Sequence, residues 1–305
     1  MTFEIVSIDY EHTLGATAGT LQIPFEVDTP IHGILMTLKF LQAGAGLPSI
    51  SDLVTQWGSA VKIKSGGAEI YSTSIADLHH LLGLATPNRV AVHESDGTGA
   101  DNHVMNASFP IPLAPFNWGL PLHPDFGLKP KDKSVVLELS YPADANDMDN
   151  RALSISAISL VGKTPTRVME RLTRNLTPSA TGWDNYIKLP SGNNISLYDL
   201  AFFQTTALSA GTTTDATSLE QISLELASDE TSIKKVNARA LHWNLGNLSL
   251  TATSPEESGN YVYMPTSPLG SFEWAIPLPK DARLNINAGV ADAIRFYGGI
   301  VRPLV

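Results

Sequence analysis

Oxygen-bearing side chains cluster in one short loop, at Asp144, Asn146, Asp147 and Asp149. Calcium prefers such hard oxygen ligands on a flexible turn. Met148, however, stands where an alternating ligand pattern needs an oxygen, and neither the glycine nor the distal glutamate of a calcium-binding loop follows. The loop predicts a solvated acidic turn, and calcium binding is the alternative that the sequence leaves open.

Nitrogen ligands are scattered along the chain. No two histidines have the spacing of a recognised zinc motif, and the chain has no cysteine. His79 and His80 are adjacent on a predicted helix, where neighbouring side chains diverge by about 100 degrees and do not readily share one metal. We therefore predict no metal site. The histidines stand at positions 12, 32, 79, 80, 93, 103, 123 and 242.

Paired carboxylates could hydrolyse a glycosidic bond, and Glu138, Glu225 and Glu273 are the formal candidates. Each lies in a predicted strand, where an outward-facing glutamate is ordinary, and nothing in the sequence sets two of them at a working separation. No nucleophile elbow, phosphate loop or dinucleotide fingerprint is present. The sequence thus predicts no catalytic residue and no cofactor, and hence a protein that is not an enzyme.

Cations concentrate in one segment of the chain. Its four basic residues are Lys163, Arg167, Arg171 and Arg174. With Glu170 subtracted, the segment carries a local charge of +3 in a chain whose net charge is −10. Thr164 and Pro165 match the cap and first residue of a helix, so we predict a helix with the three arginines and Glu170 on one face. A solvated linker helix is the simplest interpretation of that pattern.

The composition argues against two classes of partner. Charged residues make up only 16% of the chain, and its acidic balance leaves no extensive cationic surface for nucleic-acid phosphates. We therefore expect no direct binding of nucleic acid. No apolar stretch approaches the roughly 18 residues that span a bilayer. The first ten residues alternate polar and apolar types, which predicts a strand and not a signal peptide.

The elements that must position these groups are mostly strands. Leu153 and Ile155 alternate with serines, the period-two pattern of a half-buried strand. After Ala157 the apolar phase slips by one residue, which predicts a β-bulge. Clusters of Pro, Gly, Asn and Ser separate the strands, as in a sandwich or jelly roll. Other predicted strands are 33–42, 61–64, 68–71, 135–140, 183–189, 195–205, 223–226, 231–233, 272–277 and 293–301.

Helices are few and occupy matched places. Ser74 and Asp77 form a predicted capping box that opens a helix through Leu82, and Gly83 is well placed to end it. A second helix is expected over 234–241. Each follows a strand, a tight turn and a second short strand.

The sequence also contains an internal repeat. The segment 116–122 returns as 272–278, a shift of 156, and a block upstream returns with a shift of 163. Loop-length differences between two copies of one domain explain the small change in shift. Trp118 and Trp274 are equivalent in the two copies, which favours a repeated packing role over an exposed sugar-stacking pair. The second block pairs Val61, Ile63, Ser65, Ile70 and Leu78 with Leu224, Leu226, Ser228, Ile233 and Leu241.

Length and repeat agree on two domains. A chain of 305 residues accommodates two domains of about 150 residues, each able to bury a good core. We place the first domain at residues 1–163 and the second at 164–305. The predicted fold is all-β, with two tandem eight-stranded jelly rolls and a few short helices.

The duplication, the all-β pattern and the repeated strand, turn, strand and helix unit together resemble the double jelly-roll major capsid proteins of tailless icosahedral viruses. The resemblance covers nearly the whole chain, is architectural and rests on no short diagnostic motif. Within the family, the sequence is most similar in type to the small coat proteins of membrane-containing bacteriophages, such as a lipid-containing phage that infects Flavobacterium.

The resemblance implies a structural protein that forms homotrimeric, pseudo-hexameric capsomers of an icosahedral shell. It implies lateral contacts between capsomers, contacts with penton and minor capsid proteins, and an internal lipid membrane beneath. The chain would be made in the host cytoplasm and reside in the virion. In that setting the basic segment Lys163, Arg167, Arg171 and Arg174 would face anionic lipid or a neighbouring capsomer.

Two other functions remain as alternatives. One is a two-jelly-roll glycan-processing enzyme, which requires a cleft with convergent acids and aromatics. The other is a carbohydrate-binding or spike module, which requires exposed aromatics on loops. The long polar loops 93–106 and 209–218 contain no aromatic residue.

Overall fold

The fold was analysed on a computed structural model. It describes residues 2–42, 60–78, 91–94, 103–114, 122–132, 134–144, 148–179, 181–204, 218–227, 230–237, 261–265 and 275–304. These residues form two compact units. The first extends to Met169 and includes Leu304, and the second runs from Glu170 to Pro303. The predicted domain boundary between residues 163 and 164 falls in the turn before the first strand of the second half, and it stays a prediction.

The described residues of the first half of the chain form nine strands. They are β1 (Phe3–Thr13), β2 (Gly19–Pro24), β3 (Gly33–Gln42), β4 (Ala60–Ser65), β5 (Ala68–Thr73), β6 (Ala91–Glu94), β7 (His103–Pro112), β8 (Val135–Tyr141) and β9 (Met148–Leu160). They are ordered β1-β9-β3-β7-β6 in one sheet and β2-β8-β4-β5 in the other. Within these described strands, neighbouring strands run antiparallel.

Where the structure describes the second half, it contains nine further strands. They are β10 (Arg167–Leu176), β11 (Gly182–Lys188), β12 (Ser196–Gln204), β13 (Gln221–Ala227), β14 (Glu230–Asn237), β15 (Tyr261–Pro265), β16 (Ile276–Pro277), β17 (Arg283–Ala288) and β18 (Ile294–Pro303). Here the strands run β10-β18-β12-β15 in one sheet and β11-β17-β13-β14 in the other. The short β16 also pairs with β12.

The two strand orders agree in most of their neighbours, and they differ beyond the third strand, where β7 and β6 follow β3 but β15 pairs directly with β12. In each half the first strand neighbours the last, the last neighbours the third, and the second strand lies at the edge beside the next-to-last. This order is that of a jelly roll, in which the chain wraps back and forth between two packed sheets. The structure confirms the predicted all-β, double jelly-roll fold.

Alternating side chains build each core. On β3, Ile34, Met36, Leu38 and Phe40 are at most 1% exposed, while the residues between them lie on the outer face. The second unit has its own cluster, in which Leu224 and its neighbours on β12, β17 and β18 are buried. Burial of such faces supplies most of the free energy that holds a two-sheet sandwich together.

The β4–β5 hairpin and the capping box follow their predictions. Gly66 and Gly67 have φ angles of 57° and 82°, the left-handed values that the tight turn requires. The Ser74 hydroxyl accepts a hydrogen bond from the Asp77 N–H at 3.0 Å, and residues 75–78 form one helical turn. The rest of the predicted helix, with His79 and His80, lies outside the described residues.

Three predictions of local structure are wrong. Strand β9 has no bulge at Ala157, because its pairing with β1 and β3 runs through Ala157 and Ile158 without a shift. The helix predicted over 234–241 is a strand as far as the structure describes it, since β14 continues to Asn237. The helix predicted after Pro165 is strand β10. Strand β10 pairs with the distant β18, and β14 pairs with the preceding β13. In neither case do local helix signals report the pairing with another strand.

Candidate assembly surface

The basic segment does not form one cationic face. A helix would have placed its arginines on one face. Because the segment is a strand, some of them are exposed and one is buried. Arg167 and Arg174 are exposed, and Lys163 is exposed in the turn before the strand. Arg171 is only 1% exposed and lies among buried groups. Three of the four predicted cations can therefore meet a partner at the surface, and Arg171 has a structural role.

Arg171 forms a bidentate ion pair with Asp199 on β12. Its two terminal nitrogens donate to the carboxylate oxygens at 2.6 Å and 3.2 Å, and Asp199 is fully buried. A planar guanidinium matches a carboxylate in this geometry. Burial, together with the charge of Asp199, raises the pKa of the adjacent Tyr198 phenol. The pair thus links β10 to β12 across the intervening β18 and neutralises both charges.

Glu170 forms a separate ion pair with another arginine. Its carboxylate lies 2.6 Å from Nε of Arg302 on β18. Burial raises the pKa of Glu170, and Arg302 opposes that shift. Glu170, which was predicted to share a helix face with the arginines, is therefore directed toward Arg302 of the second unit.

The candidate calcium loop is organised by a buried arginine. Arg151 is completely buried, its Nε lies 2.5 Å from Asp144, and it donates to the carbonyl oxygens of Gly15 and Pro142 at 3.0 Å and 2.9 Å. Asp144 thus pairs with the Arg151 guanidinium, so its carboxylate is less available to coordinate calcium. Asn146 and Asp147 lie outside the described residues. Within the described ranges, no group of three or more His, Asp or Glu side chains could hold a metal ion.

His32 is a buried structural residue. Its Nδ1 accepts a hydrogen bond from the Leu160 N–H at 3.1 Å. Burial lowers the pKa of His32, and a hydrogen bond to the Pro124 carbonyl acts in the opposite direction. The neutral ring therefore joins the end of β9 to the segment before β3, and the lone pair of Nδ1 is used in the hydrogen bond from Leu160.

The formal catalytic glutamates have ordinary surface partners. Glu138 accepts hydrogen bonds from Lys64 and Gln22, both at 3.0 Å, and the bond from Lys64 lowers its pKa. Glu225 pairs with Arg283 at 2.6 Å. Glu273 lies outside the described residues. The two described glutamates each sit on the outer face of a sheet beside a cation, which is a typical role for a strand glutamate.

An apolar patch covers part of the outer face of the first unit. Phe3 and Ile5 on β1 are 54% and 56% exposed, and Ile5 lies directly opposite Ile158 of β9. Beside them, Leu122 and Ile158 approach the surface of Gly33, where an added Cβ would lie 2.7 Å and 3.7 Å from their side chains. We call Phe3, Ile5, Leu122 and Ile158 the outer apolar patch.

The outer apolar patch explains the misleading phase slip in β9. Ala157 and Ser159 face the core, while Ile158 continues the outward series of Ser154 and Ser156. The sequence changes there because the outer face becomes apolar, and the strand itself stays regular. A contiguous apolar patch on an outer face is typical of a protein–protein contact.

The described residues include no helix long and apolar enough to cross a membrane. Trp118 and Trp274, the matched tryptophans of the repeat, lie outside the described residues. Two aromatic residues of the second unit, the half-buried Trp183 and the exposed Tyr186, lie together on β11. Their strand was predicted, and the alternation of Tyr186 and Lys188 with Ile187 and Leu189 marks Tyr186 as outward-facing.

Comparison with solved structures identifies the fold, whereas comparison of sequences does not. No family model matches the chain, and neither does any curated protein. The major capsid protein P2 of bacteriophage PM2 matches with a TM-score of 0.65 at 11% identity, over 100% of this chain and 98% of that protein. The major capsid protein of Sulfolobus turreted icosahedral virus matches with a TM-score of 0.65 at 13% identity, over 99% and 97%. The PBCV-1 virus capsid matches with a TM-score of 0.59 at 12% identity, over 99% and 95%.

These likenesses extend over whole chains at low identity, so they show the fold. The chain has the double jelly-roll architecture of major capsid proteins from icosahedral viruses. The expected link to a Flavobacterium-infecting phage stays a prediction.

Proposed function

We propose that the chain is the structural major capsid protein of an icosahedral virus, and that it assembles as a homotrimeric, pseudo-hexameric capsomer. The observation that carries the proposal is the presence, in one chain, of two jelly rolls whose strand orders agree in most of their neighbours. The full-length likeness to viral major capsid proteins supports it.

The duplication has a geometric consequence for assembly. Three copies of a chain with two similar wedges make a ring of six wedges, which fits a hexagonal position in a shell. Closed rotational symmetry also ends the growth of each capsomer. The proposal places the protein in the virion after synthesis in the host cytoplasm, in contact with copies of itself, with penton and minor capsid proteins, and without direct nucleic-acid contact.

The outer apolar patch supports lateral self-association. Phe3 and Ile5 are more than half exposed in the single chain and would be buried by a neighbouring copy. Burying a Phe or Ile side chain fully stabilises a contact by about 1.5–3 kcal/mol. In the proposed shell, the partner that covers the outer apolar patch is a second copy of the chain.

The native mass of the purified protein tests this proposal. We expect light scattering to give three times 32.7 kDa and negative-stain images to show a hexagonal outline. The double variant Phe3→Ser/Ile5→Ser should keep its far-ultraviolet circular dichroism and weaken self-association about 100-fold or more. The variant reports on whichever contact the patch makes, within a trimer or between capsomers.

Glu4→Ser is the matched control, because Glu4 is exposed on the same strand between Phe3 and Ile5. It should assemble like the wild type. A wild-type protein that stays monomeric at high concentration would overturn the capsid proposal and favour the two-jelly-roll enzyme. Wild-type assembly with no loss in the double variant would remove the patch from the interface.

We also propose that Lys163 and Arg167, which are exposed in the turn before β10 and at its first residue, face an internal lipid membrane. Each contributes about 1 kcal/mol near an anionic surface. The variant Lys163→Glu/Arg167→Glu should therefore bind phosphatidylserine vesicles at least about 30-fold more weakly in a flotation assay. Lys280→Glu, an exposed charge reversal elsewhere in the second half, should change binding little. If the wild-type protein did not bind anionic vesicles, the proposed orientation of these cations toward a membrane would be wrong.

A further inference from the structure

An aromatic groove lies on the outer face of the β11-β17-β13-β14 sheet. It encloses about 370 Å³, which lies within the usual range for small-ligand sites. Trp183 and Tyr186 contribute aromatic surface, and Tyr186 is 60% exposed. Lys235 holds its ammonium 5.6 Å from the centre of the Trp183 ring.

The polar lining of the groove contains both donors and acceptors. Glu225 and Arg283 face each other across β13 and β17 and pair at 2.6 Å. Ser223 and Asn285 form the next row and add a hydroxyl and an amide. The Glu225–Arg283 pair is neutral as a unit, so the ammonium of Lys235 leaves the groove with one net positive charge.

The first unit provides an internal comparison for this surface. The repeat aligns Lys62 with Glu225, because Val61 and Ile63 correspond to Leu224 and Leu226. The residue opposite Lys62 is Glu138, and the residue opposite Glu225 is Arg283, so the two rows place opposite charges with their signs exchanged. In the first unit, however, Glu138 pairs with Lys64 and Lys62 pairs with Glu69.

The adjacent row shows where the two units differ. In the first unit, Ala60 lies opposite Ser140, which lies opposite Thr20. In the second unit the corresponding row is Ser223, Asn285 and Tyr186. A threonine would complete the sheet face equally well, so the tyrosine is not needed for the fold. The groove is a property of the second unit and calls for a ligand of its own.

We propose that this groove binds an acidic oligosaccharide, a chain containing uronic acids or similarly carboxylated sugars. The C–H face of a sugar ring packs on aromatic faces such as those of Tyr186 and Trp183, because the ring faces are electron-rich. Hydroxyl groups around the ring edge match the mixed donors and acceptors of Ser223 and Asn285. A sugar carboxylate matches the ammonium of Lys235 in a chain whose net charge of −10 otherwise repels it.

Calorimetry with three probes at low ionic strength tests this inference. Tri-galacturonic acid should bind, whereas the neutral sugar tri-N-acetylchitotriose and the acidic peptide tri-glutamate should bind at least about tenfold more weakly. Tyr186→Thr, which installs the residue of the first unit, should weaken tri-galacturonate binding about tenfold or more. Lys235→Gln should also weaken tri-galacturonate binding and should reduce its dependence on salt.

Glu138→Gln is the matched control, since Glu138 holds the position in the first unit that Arg283 holds in the second, and it should leave affinity within about twofold of the wild type. No heat with millimolar tri-galacturonate, equal affinity for tri-glutamate, or unchanged binding in Tyr186→Thr would each overturn the inference. The inference does not depend on the capsid role. Light scattering on the same samples therefore reports failure of assembly separately from failure of sugar binding.

Discussion

Replacing Asp199 by alanine is expected to lower the free energy of unfolding of the second unit by about 3–5 kcal/mol. The change leaves the Arg171 guanidinium, which is 1% exposed, without the carboxylate that holds it at 2.6 Å and 3.2 Å. A buried cation cannot recover its hydration, so the loss exceeds that of an exposed pair. Urea unfolding followed by circular dichroism measures the effect.

Two controls separate the cost of a broken pair from the value of an intact one. Arg171→Met/Asp199→Leu removes both charges and should be less destabilising than Asp199→Ala alone, because no unpaired charge remains. Lys39→Ala breaks the exposed Lys39–Glu11 pair, also 2.6 Å long, and should cost less than about 1 kcal/mol. If Asp199→Ala cost no more than Lys39→Ala, the buried pair would have no special role.

The charges of this segment were visible in the sequence, but their surroundings were not. Thr164 and Pro165 are valid signals for a helix start, and they predicted one face shared by Glu170, Arg171 and Arg174. The strand β10 forms instead because its backbone pairs with segments far along the chain. The partner of Arg171, Asp199, is 28 residues away, and no local pattern connects the two. Pairing across a sheet therefore decided which arginine is structural.

The strands themselves were largely predictable, because burial on one face imposes period two on the residues. Strand β3 has the predicted bounds, 33 to 42, and the hairpin at Gly66 and Gly67 follows from turn chemistry. The same reasoning failed at Ile158, where an apolar residue on the outer face was interpreted as a slip in the strand. Apolar residues occur both in the core and on a surface that contacts a partner. Only the pairing register of the strand shows which of the two faces a given residue occupies.

The candidate sites were less predictable than the strands. Trp118 and Trp274 drew attention because they repeat, whereas the groove is formed by Trp183 and Tyr186, which have a distinctive role only in the second unit. The decisive comparison is Thr20 with Tyr186, and it depends on the ladder from β2 through β8 to β4. The groove is therefore indicated by a difference between the two copies at this position, and not by their similarity.

Glycine at position 127 is required by a close approach between two segments of the first unit. Ile31 and Leu128 form an isolated antiparallel bridge, with hydrogen bonds of 2.9 Å and 2.8 Å between their backbones. A Cβ at Gly127 would lie 2.1 Å from the carbonyl oxygen of Ile31. That oxygen accepts one bond of the bridge, so it cannot move away without breaking the bridge.

Gly127→Ala is therefore expected to destabilise the first unit by about 3 kcal/mol or more, through the clash and the loss of the hydrogen bonds that surround it. The Gly127 N–H also donates to the Arg167 carbonyl at 3.0 Å, and Phe126 beside it is fully buried, so a shift of the segment would disturb the core as well. Gly162→Ala is the matched control. Gly162 has a φ of +70° and nothing within 4 Å of an added Cβ, so only backbone strain of about 1 kcal/mol should appear. Thermal and urea unfolding of both variants would measure the difference, and equal losses would show that backbone strain, and not the contact with Ile31, is why position 127 is glycine.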